Sequence, residues 1–335
     1  MSGSHIFLTG ATGFVGRHLV ARLLEDGFSL TLAIRDRRTC PQRLWSDPRL
    51  TLLTTGPIEN ASGLEKLVSG HRSVVHAAGL AHLAPGKGTE AETAFMRANA
   101  AATAHLARAA RNAGIANFIH ISSLAAVTPN AAGVVVDDAT SGWRPDTAYG
   151  RSKLEAEQAL AAERGGMVAI SLRPPLIIGA DAPGNWRALQ RLAASGAPLP
   201  FRSVDNRRSL ISVQALAARV SELCNREWPI ETAGNYCVAE DMPASLRDIV
   251  TELRAGMQMG PRLLPCPPSL IRMVFGAIGG GRRADGLLGN LVVDDTRYLQ
   301  TFGFDGSTED LRASIRLSGA GFIRQRAASP DGSHS

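Results

Sequence analysis

The chain has 335 residues, of which 44% are hydrophobic and 20% charged, with a formal net charge of +6. A disordered chain is poor in apolar residues, so this one folds, and at roughly 150 residues per domain it has room for two domains. Aromatic residues make up 5%, and the basic ones are scattered rather than massed, which argues against a nucleic-acid surface built on stacking.

His5–Thr9 reads as a strand, Phe14–Glu25 as a helix closing near Gly27, and Ser29–Ile34 as a second strand. Leu50–Thr54 follows as a third, and the next helix opens on a capping box, Ser62-Gly63-Leu64-Glu65. Then come strand Ser73–Ala77, an alanine-rich helix from about Glu92 to Ala113, strand Asn117–Ser122, helix Tyr149–Ala162 and strand Val168–Leu172. Continuous apolar strands alternating with helices predict an α/β fold, a Rossmann-type doubly wound parallel sheet, over residues 1–172.

After Arg173 the rhythm breaks at Pro174, Pro175, Pro183, Pro198 and Pro200. Helices are predicted at Trp186–Ala194, Val213–Cys224 and Ser245–Met257, a strand at Leu291–Val293 and a last helix at Ser307–Ser318. Residues 173–323 are expected to form a smaller mixed α/β substrate domain, with 208–240 returning to the first domain. Residues 324–335 are expected to be a disordered tail.

Cys40, Cys224, Cys237 and Cys266 share no close spacing with one another or with histidines, so neither a metal site nor a disulfide framework is expected. The first residues lack the charged and apolar regions of a signal peptide. The apolar stretch Leu270 to Gly281 contains Arg272 and falls short of the roughly 20 residues a membrane span needs. It is read as a core-facing helix, with an interfacial role as the alternative. The expected location is the cytoplasm, with no integral membrane segment and no nucleic-acid partner.

Three motifs carry chemistry. Thr9-Gly10-Ala11-Thr12-Gly13-Phe14-Val15-Gly16 joins the first strand to the first helix. Gly10 permits the tight turn, Gly13 lets the backbone approach a pyrophosphate and Gly16 allows close packing, while the helix N-terminus offers N–H groups to phosphates. At the end of the second strand, where an acid would hold the ribose, stands Arg35, followed by Asp36. A guanidinium there suits a 2′-phosphate and favours NADP(H), with NAD(H), held by Asp36, as the alternative. Tyr149 and Lys153 lie four apart on one helix face, where an ammonium lowers a phenol's pKa and makes Tyr149 a general acid–base. Ser123, ending the fifth strand, can bind the same oxygen.

Together these motifs resemble an extended short-chain dehydrogenase/reductase of the NAD-dependent epimerase/dehydratase family, over roughly residues 5–320. The resemblance extends to His76-Ala77-Ala78-Gly79, Asn99 and Thr103, and Arg173-Pro174-Pro175-Leu176-Ile177-Ile178-Gly179. It implies catalysis by Ser123, Tyr149 and Lys153. It implies cofactor contacts from Gly10, Thr12, Gly13, Phe14, Val15, Gly16, Arg35, Asp36, Ile58, Ala77, Ala78, Gly79, Asn99, Tyr149, Lys153, Pro175 and Leu176. Asn99 would prop the active-site strand, and His76 reads equally well as a satisfied core histidine. Ser123, Arg208 and Arg283 would bind substrate, the two arginines at the diphosphate of a UDP-sugar.

Within the family, Phe118–Ser123, Tyr149–Glu157 and Leu199–Leu210 are similar to bacterial reductases and epimerases of surface-polysaccharide and O-antigen pathways. Members like this reduce the C4 keto group of a UDP-linked 6-deoxy-HexNAc, giving products of the UDP-QuiNAc or UDP-FucNAc type. The expected partners are therefore a UDP-sugar substrate and a second copy of the chain in a homodimer. Three departures matter. Thr55-Gly56-Pro57-Ile58 lacks the family's Asp after the third strand. Leu124-Ala125 replaces the dehydratases' Asp-Glu pair, and Leu176 stands where many epimerases have Asn. These disfavour a dehydratase and weaken the alternative, a UDP-sugar 4-epimerase. A non-catalytic dinucleotide-sensing regulator is a second alternative, and it would need none of Ser123, Tyr149 and Lys153.

Overall fold

The computed structural model describes residues 5–39, 47–81, 89–127, 135–138, 145–277, 286–305 and 310–328. The first half runs β1 (His5–Thr9), α1 (Phe14–Glu25), β2 (Ser29–Ile34), β3 (Leu50–Thr54), α2 (Leu64–Val68), β4 (Ser73–His76), α3 (Thr89–Phe95), α4 (Ala102–Asn112), β5 (Asn117–Ile121), β6 (Val135–Val136), α5 (Ala148–Glu163) and β7 (Val168–Arg173). The second continues with β8 (Leu176–Ile178), α6 (Gly184–Ala194), β9 (Leu210–Ser212), α7 (Val213–Asn225), β10 (Gly234–Cys237), α8 (Leu246–Gly256), α9 (Pro268–Ala277), β11 (Val292–Val293), α10 (Thr296–Phe302) and α11 (Leu311–Ala328).

Seven strands form one parallel sheet in the order β10-β7-β5-β4-β1-β2-β3. Its central strands are buried on both faces, which is why they read as largely apolar runs rather than as an alternation. Leu19, Leu23, Leu216 and Val220 of α1 and α7 pack on one face; Leu106, Ala110 and Leu160 of α4 and α5 cover the other. Two short parallel ladders, β8 with β9 and β6 with β11, lie apart from the main sheet. Strand order reverses between β1 and β4, so the C-terminal ends of those strands open the crevice where doubly wound sheets take ligands.

Four local expectations are corrected. The alanine-rich helix is split into α3 and α4 by a π-helical segment, Met96–Ala101, which contains Asn99. The capping box before α2 does not form: Gly63 occupies the cap position at φ +67°, displacing Ser62 from where its hydroxyl would reach. A capping box is instead made by Ser245 and Asp248 at the start of α8. The last helix begins at Leu311 and continues to Ala328, so residues 324–328 are helical rather than frayed; 329–335 lie outside the described residues. Finally, α9 is not core-facing along its length, because Ile271 is its one buried residue. Among the described residues no helix is long and apolar enough to cross a membrane.

Candidate active site

The glycine turn is dictated by space. Gly10 has φ +81°, and a Cβ there would lie 2.5 Å from the backbone of Ala77; a Cβ on Gly16 would lie 2.0 Å from the Gly10 carbonyl oxygen. The first fact brings the turn against the segment after β4, and the second seats α1 directly on the turn. Thr12, Phe14 and Val15 stay half-buried and Gly13 exposed at the N-terminus of α1. A cradle this close, with free N–H groups at its helix end, fits a dinucleotide pyrophosphate.

The segment after β4 is tied down from both sides. The Ala78 N–H donates to Thr9 Oγ1 at 3.3 Å. Asn99 accepts from the Leu80 N–H at 2.7 Å, and its amide donates to the Leu80 carbonyl at 3.0 Å and to Ser152 Oγ at 2.8 Å. Asn99 therefore props the Gly79–Leu80 loop and helix α5, not the strand that carries Ser123. The π-helical segment is what aims it there, a common use of such bulges. His76 is a satisfied core histidine. Thr103 donates to the Asn99 carbonyl, so the His76 Nε2–H donates to Thr103 and Nδ1 accepts from Thr9 at 2.7 Å. Burial, with the Lys153 charge adding, holds its pKa down to about 3.

Ser123, Tyr149 and Lys153 come together at the end of β5. Thr147 caps α5, its hydroxyl accepting from the Gly150 N–H at 2.9 Å. Gly150 lets the helix approach the turn after Ser123, since a Cβ there would be 2.3 Å from the Ala125 carbonyl oxygen. The sequence reading missed this glycine, although it sits inside the Tyr149–Lys153 motif. The Ser123 hydroxyl accepts from the Ala125 N–H at 3.2 Å and hydrogen-bonds with Tyr149, whose ring meets Phe95 edge-on at 5.9 Å.

The electrostatics of the pair differ from the expectation. Burial pushes the Tyr149 phenol above its ordinary value, with the Ser123 hydrogen bond pulling the other way. Lys153, itself drawn down to about 8 by burial against the opposing Glu157 carboxylate, turns inward. Its ammonium donates to the Ile121 carbonyl at 2.7 Å and to His120 Nε2 at 3.4 Å. Burial first, then the Lys153 charge, keeps His120 neutral, with its Nδ1 3.2 Å from Ser171 Oγ. A second layer fixes this one: Glu157, one turn beyond Lys153, accepts from Ser122 at 2.5 Å and forms a two-pronged pair with Arg173, Nη2 to Oε2 at 2.7 Å.

The remaining candidate residues sit on other elements. The Leu124 N–H donates to the Pro174 carbonyl at 2.9 Å, which holds Pro175 and the half-exposed Leu176 beside the Ser123 turn. Ile58 is buried beyond β3, its carbonyl bonded to His105. At the end of β2, Arg35 is exposed, whereas Asp36 is gripped by the Arg38 guanidinium at 2.6 Å, which holds its carboxyl below the ordinary range. Arg208 enters β9, the partner of β8, and donates to the Gly289 carbonyl at 3.0 Å; burial lowers its pKa. Arg283 lies outside the described residues.

The chain matches the NAD dependent epimerase/dehydratase family over residues 6–226. It is 30% identical over 306 residues to a UDP-glucose 4-epimerase of Vibrio cholerae, covering 89% of this chain and 90% of that one. It is 33% identical over 221 residues to a ceramide reductase of Caulobacter vibrioides, covering 65% and 60%. Its fold matches the crystal structure of a UDP-glucuronic acid 4-epimerase from Bacillus cereus in complex with NAD, with a TM-score of 0.72, 18% identity and coverage of 96% and 99%. The cradle at Gly10, the Ser123–Tyr149 hydrogen bond and this match over the sheet have one reading: the chain belongs to the NAD-dependent epimerase/dehydratase family, the extended short-chain dehydrogenases/reductases.

Proposed function

We propose that the protein is an NAD(P)H-dependent reductase of the C4 keto group of a UDP-linked 6-deoxy-HexNAc. The observation that carries this reading is the Tyr149 hydroxyl, hydrogen-bonded to Ser123 just beyond β5 and raised further above its ordinary pKa by burial. A neutral phenol is the form that gives a proton, and reduction of a ketone ends with an alkoxide that needs one.

The Gly10–Gly16 turn, the Ala77–Gly79 loop and Arg35 would hold the dinucleotide. When bound, the cofactor supplies a hydride to the sugar carbon. Ser123 would orient the keto oxygen and Tyr149 would protonate it as charge develops, while Lys153, held inward by Ile121 and His120, would reach a ribose only by turning from them. Arg208, a part-buried guanidinium bonded to a carbonyl, suits a nucleoside diphosphate. Arg35 exposed beside an engaged Asp36 supports NADP(H) over NAD(H).

A UDP-sugar 4-epimerase is the second reading, favoured by 30% identity to the Vibrio cholerae epimerase across 90% of its length. One assay separates the two. A reductase oxidises NADPH only when a 4-keto UDP-sugar is supplied, and purifies without stoichiometric bound cofactor. Tightly held NAD⁺ and interconversion of UDP-GlcNAc with UDP-GalNAc, without net redox, would establish the epimerase instead.

A further inference from the structure

A carboxylate from the second half of the chain reaches the glycine turn of the first. Asp181 lies between β8 and α6. Its Oδ2 accepts from Arg17 Nη2 at 2.6 Å and its Oδ1 from His18 Nε2 at 3.1 Å, both residues of α1. The other arm of the Arg17 guanidinium donates through Nη1 to the Thr12 carbonyl at 3.1 Å. One arginine thus spans Asp181 and the Gly10–Gly16 turn. Burial opposes the charge on Asp181, yet the bonds from His18 and Arg17 hold its carboxyl well below the ordinary range.

Both ends of this link are fixed. Beside Asp181, the buried Gln190 donates from Nε2 to the Gly179 carbonyl at 3.1 Å and to the Ala180 carbonyl at 3.3 Å. Gly179 packs against Phe14, since a Cβ there would lie 3.0 Å from the ring, and a Cβ on Gly321 of α11 would lie 2.5 Å from that of Ala180. At the other end the peptide between Thr12 and Gly13 is held twice. Its carbonyl accepts from Arg17, and its N–H donates to the Gly10 carbonyl at 3.0 Å. That peptide directly precedes the first N–H groups of α1, the ones offered to a phosphate. The Arg17 side chain is 31% exposed, and without a partner its rotatable stem would leave the Thr12 carbonyl unheld for part of the time.

We propose that Asp181 is a positioning residue for the dinucleotide, holding Arg17 so that the Thr12–Gly13 peptide keeps the start of α1 aimed at the pyrophosphate. It acts through Arg17 and not by contact, because a free carboxylate beside a pyrophosphate would repel it, whereas this one is engaged by two donors. The link continues into the second half of the chain. Asp181 follows β8, β8 pairs with β9, and Arg208 enters β9. The role of Asp181 depends on dinucleotide binding at the glycine turn and not on which ketone is reduced.

The test is a double-mutant cycle read as the Kd of the full-length protein for NADPH and NADH, followed by nicotinamide fluorescence with no sugar present. Asp181→Ala and Arg17→Ala should each raise Kd for the better-held dinucleotide by about threefold to thirtyfold. The double variant should bind no more weakly than Arg17→Ala alone, because both changes break one link. His18→Ala leaves that link in place and should bind like the wild type. Circular dichroism and melting temperature check that each variant is folded. Should Asp181→Ala fail to fold, Asp181→Asn, equal in size and uncharged, takes its place in the cycle. A wild type that binds neither dinucleotide would overturn the positioning role together with the cofactor reading. Wild-type binding with an unchanged Kd in the folded Asp181 variant would overturn the positioning role alone. Losses from the two single variants that simply add would do the same, marking Asp181 as a general support of the fold.

Discussion

Nζ of Lys153 lies 3.4 Å from Nε2 of His120, joining helix α5 to strand β5 beneath the candidate proton donor. The contact has a direction. An ammonium only donates, so His120 accepts through Nε2 and keeps its proton on Nδ1, toward Ser171. That acceptor helps a charge survive where burial disfavours it.

The pH dependence follows from this pair. Burial draws Lys153 down to about 8, below its ordinary 10.5, so its positive form is lost as pH rises through 8. Activity should therefore fall on the alkaline side with a midpoint near 8. His120→Leu removes an acceptor for the ammonium and should move that limb to lower pH by about half a unit or more, leaving KM for the sugar little changed. An unmoved limb in a folded variant would separate His120 from Lys153. The stability side has its own sign. Between pH 8 and 10.5 the unfolded chain binds more protons at Lys153 than the folded one, so this group's contribution to stability rises with pH across that window.

Tyr149→Phe deletes the transferable proton and the bond to Ser123 while keeping the ring against Phe95. Turnover should drop by roughly 10²–10⁴-fold with dinucleotide affinity retained. Steady-state rates beside cofactor titration by fluorescence check this, and near-normal turnover would release Tyr149 from its role.

Arg35→Asp tests the cofactor preference. Losing a charge-assisted contact to a 2′-phosphate should weaken NADPH by about tenfold or more relative to NADH. Equal, small effects on both dinucleotides would mean that the guanidinium stays in solvent.

Arg208→Ala should raise KM for the UDP-sugar by about tenfold to a hundredfold, on the scale of hydrogen bonds to charged groups. It should also lower kcat if the diphosphate aligns the sugar carbon. The same KM and kcat as the wild type would place the diphosphate elsewhere.

Glu157 and Arg173 are buried together, so removing Glu157 leaves the Arg173 charge buried without its two-pronged partner. Glu157→Leu alone should destabilise by about 3–5 kcal/mol, and Glu157→Leu with Arg173→Met should recover much of that loss. Urea unfolding of both variants measures the difference.

The strand–glycine–helix opening, the alternation that builds the parallel sheet and the i, i+4 spacing of Tyr149 and Lys153 were legible in the amino-acid sequence. Each of these is written in residues close together along the chain, where turn geometry and helical spacing act locally. Contacts between residues far apart in number had to wait for the packing. Lys153 turns toward His120 and Ile121, and the phenol is raised rather than lowered because burial outweighs the Ser123 hydrogen bond that opposes it. Asn99 reaches across to Leu80 and Ser152 through a π-helical segment that its alanine-rich surroundings do not announce. The apolar run at α9 has the composition of a core helix, yet whether such a helix is covered depends on what packs against its second side. Composition sets which side chains prefer to leave water, and long-range packing decides which of them can.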